Sequence, residues 1–124
     1  MNDPIVKLLG PEHPISMTKA KSTWRVVFNN AVIAESEDVL LMQEATYPVV
    51  AYFPRKDVKM NLLQATDHHT YCPYKGQASY FSLDADGRRE DNAVWSYEAP
   101  YPAVADIKER LAFYTTKVDE IAEV

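Results

Sequence analysis

From Thr23 onward the chain alternates short apolar runs with turn-forming residues, at the two-residue period of half-buried strands. Trp24-Arg25-Val26-Val27-Phe28 and Ala31-Val32-Ile33-Ala34-Glu35-Ser36 flank Asn29-Asn30. Asparagine tolerates the positive φ that a two-residue turn requires, so these runs predict a β-hairpin. Asp38-Val39-Leu40-Leu41-Met42-Gln43-Glu44 reads as a third strand that continues the meander. Tyr47 to Pro54 is bounded by prolines and is the most apolar run, as expected of a strand buried on both faces. Pro54 to Val58 predicts one helical turn or a bend. Lys59 to Gln64 predicts a further strand with Met60 and Leu62 on one side.

The segment His69 to Phe81 organises the rest. Pro73 has no N–H to give to a ladder and suits the second position of a turn, while Gly76 supplies the freedom in φ needed to leave it. Residues 72–76 therefore predict a corner between two strands. Beyond it Ala78, Tyr80 and Ser82 share one face and Gln77, Ser79, Phe81 and Leu83 the other. Asp84-Ala85-Asp86-Gly87 predicts a second hairpin turn, leading through polar residues 88–92 into Ala93 to Glu98, where Trp95 and Tyr97 share a face. Pro100 and Pro102 end the sheet. Ala103, Ile107 and Leu111, spaced by four, predict a short C-terminal helix; Phe113 and Tyr114 fit either its extension or a last strand.

The expected organisation is a single, mainly β, antiparallel domain over residues 22–124, preceded by an arm at 1–21. The arm's apolar Ile5, Val6, Leu8 and Leu9 are expected to pack on the domain or on a second subunit, which makes a homodimer an expectation. His13, between two prolines, is given no ligand role. Thirteen basic against eighteen acidic residues leave a net charge of −5. Without a basic run, neither nucleic acid nor an anionic membrane is expected as a partner. No run reaches the roughly 20 apolar residues of a membrane span. One cysteine among 124 residues forms no internal disulfide, and Met1-Asn2-Asp3-Pro4 lacks the basic head of a secretory signal, so the expected location is the cytoplasm.

Candidate chemistry gathers at the corner. An ammonium at Lys75 would favour the thiolate of Cys72, the form that attacks electrophiles. In a catalytic reading Cys72 is the nucleophile, Lys75 its electrostatic partner, and His69 or Asp57 the proton carrier. The rings of Tyr52, Tyr74, Tyr80, Trp95 and Tyr97, with Asp57, are the candidate ligand-binding residues, since aromatic faces bind flat or cationic groups. The competing reading is a structural cysteine and core aromatics. A metal site from Asp67, His68, His69 and Cys72 is not expected, because adjacent histidines on a strand point to opposite faces. The charged residues 84–91 read as a solvated hairpin end, and no cofactor is expected.

Asn30 to Ser36, Tyr52-Phe53-Pro54 with Asp57-Val58, Cys72-Pro73-Tyr74-Lys75-Gly76 with Ala78-Ser79-Tyr80, Ala93-Val94-Trp95-Ser96-Tyr97, and Ala112-Phe113-Tyr114 with Val118 occur in one order over residues 22–119. Together they resemble the small bacterial family called domain of unknown function 427, sometimes labelled nucleotidyltransferase-like. The resemblance implies a β-tent-like domain in which two antiparallel sheets meet at an angle. Several β-tent relatives hold zinc with four cysteines; this chain has Cys72 alone and departs from that pattern. Other β-tents carry an aromatic-lined pocket between the sheets, which here implies Tyr52, Tyr80, Trp95 and Tyr97 as walls. The nucleotidyltransferase label finds no Gly-rich phosphate loop and no spaced acidic pair for magnesium. The expected function is binding of a small molecule near Cys72 and Lys75, with catalysis left open; the alternative is a protein-interaction or oligomerisation module.

Overall fold

The computed structural model describes residues 5–124; residues 1–4, which carry the reading of a missing secretory signal, lie outside it. The described chain is built of antiparallel strands joined by turns and 3₁₀ segments. They are β1 (Ile15–Lys19), β2 (Trp24–Phe28), β3 (Ala31–Ser36), β4 (Leu40–Glu44), β5 (Val50–Tyr52), β6 (Leu63–Cys72), β7 (Gly76–Ala85), β8 (Arg88–Ser96), β9 (Ala112–Phe113) and β10 (Glu120–Glu123).

Local chemistry sets the hairpins where the sequence predicts them. Asn29 and Asn30 take φ of 51° and 65° between β2 and β3, and Asp86 and Gly87 take 52° and 86° between β7 and β8. Cys72 pairs with Gly76 across the corner, and Lys75 N donates to Cys72 O at 3.2 Å. The strands form three sheets, in the orders β1-β4-β5, β10-β2-β3 and β6-β7-β8-β9, rather than the two expected. A pair of reciprocal bonds, Phe53 N to Leu111 O and Leu111 N to Phe53 O, each 2.8 Å, stitches the β5 end of the first sheet to the β9 end of the third.

Four other expectations change. The meander breaks after β3, because its outer edge is taken by the Ala34–Val58 bridge and by Lys59 N, which donates to Ile33 O at 2.8 Å. Ser36 Oγ meanwhile donates to Asp57 Oδ2 (2.6 Å) and accepts from Asp38 N (2.9 Å), turning the chain so that β4 pairs between β1 and β5. The 47–54 run is a strand only over Val50–Tyr52. Gln43 Nε2 donates to the carbonyls of Ala45 and Tyr47, holding a loop that leaves Tyr47 59% and Val49 52% exposed. Residues Met60–Leu62 are a 3₁₀ turn, with the strand starting at Leu63.

The C-terminal helix is a six-residue 3₁₀ segment, Pro102–Ile107, interrupted at Val104 (φ −125°). Its buried anchors are Val104 and Ile107, three apart, while Ala103 is exposed. A spacing of three places both on one side of a 3₁₀ turn. Glu109 then takes φ 62°, and residues 112–113 pair with β8 as the last strand of the third sheet.

Residues 15–19, within the segment read as an arm, form β1, pairing Ile15 with Glu44 and Lys19 with Leu40. Upstream, Lys7 N donates to Pro73 O at 2.8 Å, and Ile5, Val6 and Leu8 are 69%, 54% and 88% exposed. Two buried clusters fill the interior. One centres on Phe28, Ile33, Phe53, Leu83, Val94 and Leu111. The other holds Met42, Tyr52, Tyr80, Tyr97, Val104 and Ile107. None of the described helices is long and apolar enough to cross a membrane.

Candidate functional site

The corner presents Lys75 inward. Its Nζ donates to Glu44 Oε1 at 2.5 Å, and the two side chains are only 13% and 14% exposed. Glu44 ends β4, and its other oxygen lies 2.8 Å from His13 Nε2. The His13 ring stacks on Tyr74, centroids 3.7 Å apart and planes within 7°. Lys75 Nζ also stands 5.4 Å from the Tyr97 ring centroid, a cation–π distance. The partner of this ammonium is thus a carboxylate from the first sheet.

The electrostatics follow from that packing. Burial works against the Glu44 carboxylate, but hydrogen bonds from Lys75 and His13 outweigh it and lower its pKa. Burial likewise opposes the Lys75 charge, and the Tyr52 phenol and Glu44 carboxylate outweigh it, so its pKa is raised. Tyr52, 1% exposed, is pushed up to about 12 chiefly by burial. Tyr97 is raised for the same first reason.

Tyr52 connects this buried knot to the surface. Its hydroxyl accepts from Trp95 Nε1 at 3.3 Å, and the two rings meet edge to face at 6.4 Å. Trp95 in turn is a wall of an apolar groove of about 450 Å³. All three sheets supply walls: Trp24 and Ile121 from β2 and β10, Val50 and Ala51 from β5, Trp95 and Phe113 from β8 and β9. The loop before β5 adds Tyr47 and Val49, and Tyr114 and Thr115 follow β9 in the wall. Both tryptophans of the chain face this one groove.

The expected site residues are dispersed. Tyr52, Tyr80 and Tyr97 are brought together, but as core rings exposed by 5% or less. Of the expected pocket walls, only Trp95 reaches the groove. Cys72 is half-buried against the second core cluster. His69 is exposed and lines a separate groove of about 610 Å³ with Tyr71, Glu98 and Tyr101. Asp57 accepts from Ser36 Oγ beside β3 and borders a polar hollow with Glu35 and Asp38. Tyr74 stacks on His13. Among the described residues no group of three or more His, Cys, Asp or Glu side chains converges as metal ligands would.

Sequence reasoning missed Glu44 and His13, each 31 residues from its partner. The available signal was the alternation of Ile15-Ser16-Met17-Thr18, whose burial also alternates. Reading it as a strand would have placed residue 13 at the entry to the sheet that carries Glu44.

Comparison with curated proteins returns no match for the chain. The model of one family, described as domain of unknown function (DUF427), matches residues 16–124. That match takes in every strand of the fold except the first residue of β1, and the chain belongs to the DUF427 family.

Proposed function

We propose that this protein binds a flat, largely apolar small molecule in the groove walled by Trp24, Tyr47, Val49, Trp95 and Tyr114. The supporting observation is Trp95 itself: its N–H is held by the buried Tyr52 hydroxyl while its ring remains in the groove wall. An anchored ring offers a stacking surface at little entropic cost. The sheets are taken to lean together in the tent-like manner implied by the family resemblance, with this groove opening between them. Apolar burial contributes about 25 cal/mol per Å², so covering roughly 150 Å² of a bicyclic ring gives about 4 kcal/mol before association costs. Cys72, Lys75 and His69 have no catalytic part in this reading: the Lys75 ammonium is tied to Glu44, and His69 lines a different groove.

A thermal-shift and tryptophan-emission screen of uncharged aromatic compounds tests the reading, repeated on Val49→Glu, which places a charge in the exposed wall. At least one compound should raise the melting temperature and change the emission of the wild type, and do neither in the variant. A screen without such compounds, or hits unaffected by Val49→Glu, would sink the proposal.

Exposed Ile5, Val6 and Leu8 favour a second reading, in which this strip docks on a second copy of the chain. Ile5→Ser with Leu8→Ser would then lower the mass seen by light scattering. A wild type that is already monomeric at high concentration would refute this reading.

A further inference from the structure

We propose that the groove is one half of a composite site and that its occupant is an amphipathic monoanion, with a flat apolar body and a carboxylate-like head. This rests on the binding reading above and deepens it. Tyr114 is the shared wall. Its ring lies 4.6 Å from that of Trp95, and its hydroxyl lies 3.2 Å from the Tyr80 hydroxyl. It borders both the apolar groove and a neighbouring hollow of about 410 Å³, whose other walls are His68, Tyr80, Asn92, Thr116 and Lys117.

The two hollows differ in chemistry. Among the described residues no charged side chain lines the groove, so a ligand lying there alone would be uncharged. The second hollow has a lysine and a histidine in its walls and, among the described residues, no carboxylate. The turn closed by Lys117 N donating to Tyr114 O at 3.0 Å sets Lys117 beside the shared ring. Lys117 Nζ donates to the Asp91 carbonyl at 2.6 Å, which occupies one of three N–H groups and leaves two for a ligand. The nearby Asp91 carboxylate is engaged by Arg89 Nε at 2.9 Å. Tyr80, whose hydroxyl is held 2.8 Å from Thr70 Oγ1, forms a fixed floor with His68 packed edge-on at 4.6 Å between centroids. A ligand whose apolar body lies against Trp95 and passes the Tyr114 ring therefore brings its head to the hollow that holds Lys117.

The probes are 2-naphthylacetate and its primary amide, equal in shape and different in charge, titrated calorimetrically into the full chain at low ionic strength. A partly exposed ion pair supports about a fivefold preference for the acid. That preference should shrink with added salt and vanish in Lys117→Gln. Equal or tighter binding of the amide by the wild type would overturn the composite site and leave the groove reading intact, as would a preference that survives in Lys117→Gln. If neither compound binds while other uncharged aromatics do, the head subsite and the monoanion class fall alone. If no aromatic compound binds, the groove reading falls and this inference with it.

Discussion

Lys75 Nζ and Glu44 Oε1 meet at 2.5 Å with both side chains mostly buried, joining the corner after β6 to the end of β4. An ion pair in this setting contributes little beyond well-packed apolar residues, but half of it is costly to leave behind. Lys75→Met is therefore expected to destabilise the protein by about 3 kcal/mol, since it leaves the mostly buried Glu44 carboxylate with His13 as its remaining side-chain partner. Glu44→Leu combined with Lys75→Met should recover most of that loss, measured by urea denaturation. A double variant no more stable than Lys75→Met would show that the pair itself supplies the stability.

The same pair sets a pH response. Because the folded pKa of Glu44 lies below its ordinary 4.5, the carboxylate's contribution is complete above 4.5 and is lost as pH falls through the depressed value. Lys75 has the opposite sign: its contribution is complete below 10.5 and is lost as pH rises through the raised value. Glu44→Gln should flatten the acid side of the urea-midpoint profile. Parallel profiles for wild type and variant between about pH 6 and pH 3 would contradict this.

Tyr52→Phe keeps the ring and deletes the acceptor of the Trp95 indole N–H. The expected cost is about 1 to 3 kcal/mol, because the indole N–H loses its partner on the buried side of the ring. Trp95 emission should also change, read in a Trp24→Phe background so that one indole reports. Absorbance titration should show one phenol fewer ionising near about 12.

Gly76 begins β7 at φ +110°, a backbone conformation hostile to side chains. A Cβ there would meet Ala99 O at 3.5 Å and Tyr101 N at 3.8 Å, both ordinary contacts, so the cost is conformational and not steric crowding. Gly76→Ala is expected to lower stability by about 1 to 3 kcal/mol. Thermal denaturation of the two proteins decides it, and an unchanged midpoint would mean that the corner relaxes without strain.

The residues alone determined what depends on neighbours in the chain. Asn29-Asn30, Asp86-Gly87 and Pro73 through Gly76 announced their turns because φ preference is local, and period-two runs announced most strands around them. Belonging to the DUF427 family was likewise legible in motifs such as Cys-Pro-Tyr-Lys-Gly and Trp-Ser-Tyr. Which strands pair was not, because β3 could have continued into β4 until Val58 and Lys59, brought back by a 3₁₀ turn, occupied its edge. Long-range packing also chose the partner of Lys75: Cys72 is three residues away in sequence, yet Glu44 receives the ammonium because β4 delivers it there. The same three-sheet packing sent Tyr52, Tyr80 and Tyr97 into the core and left Trp95 in a groove wall, since burial depends on what folds over a ring and not on the ring.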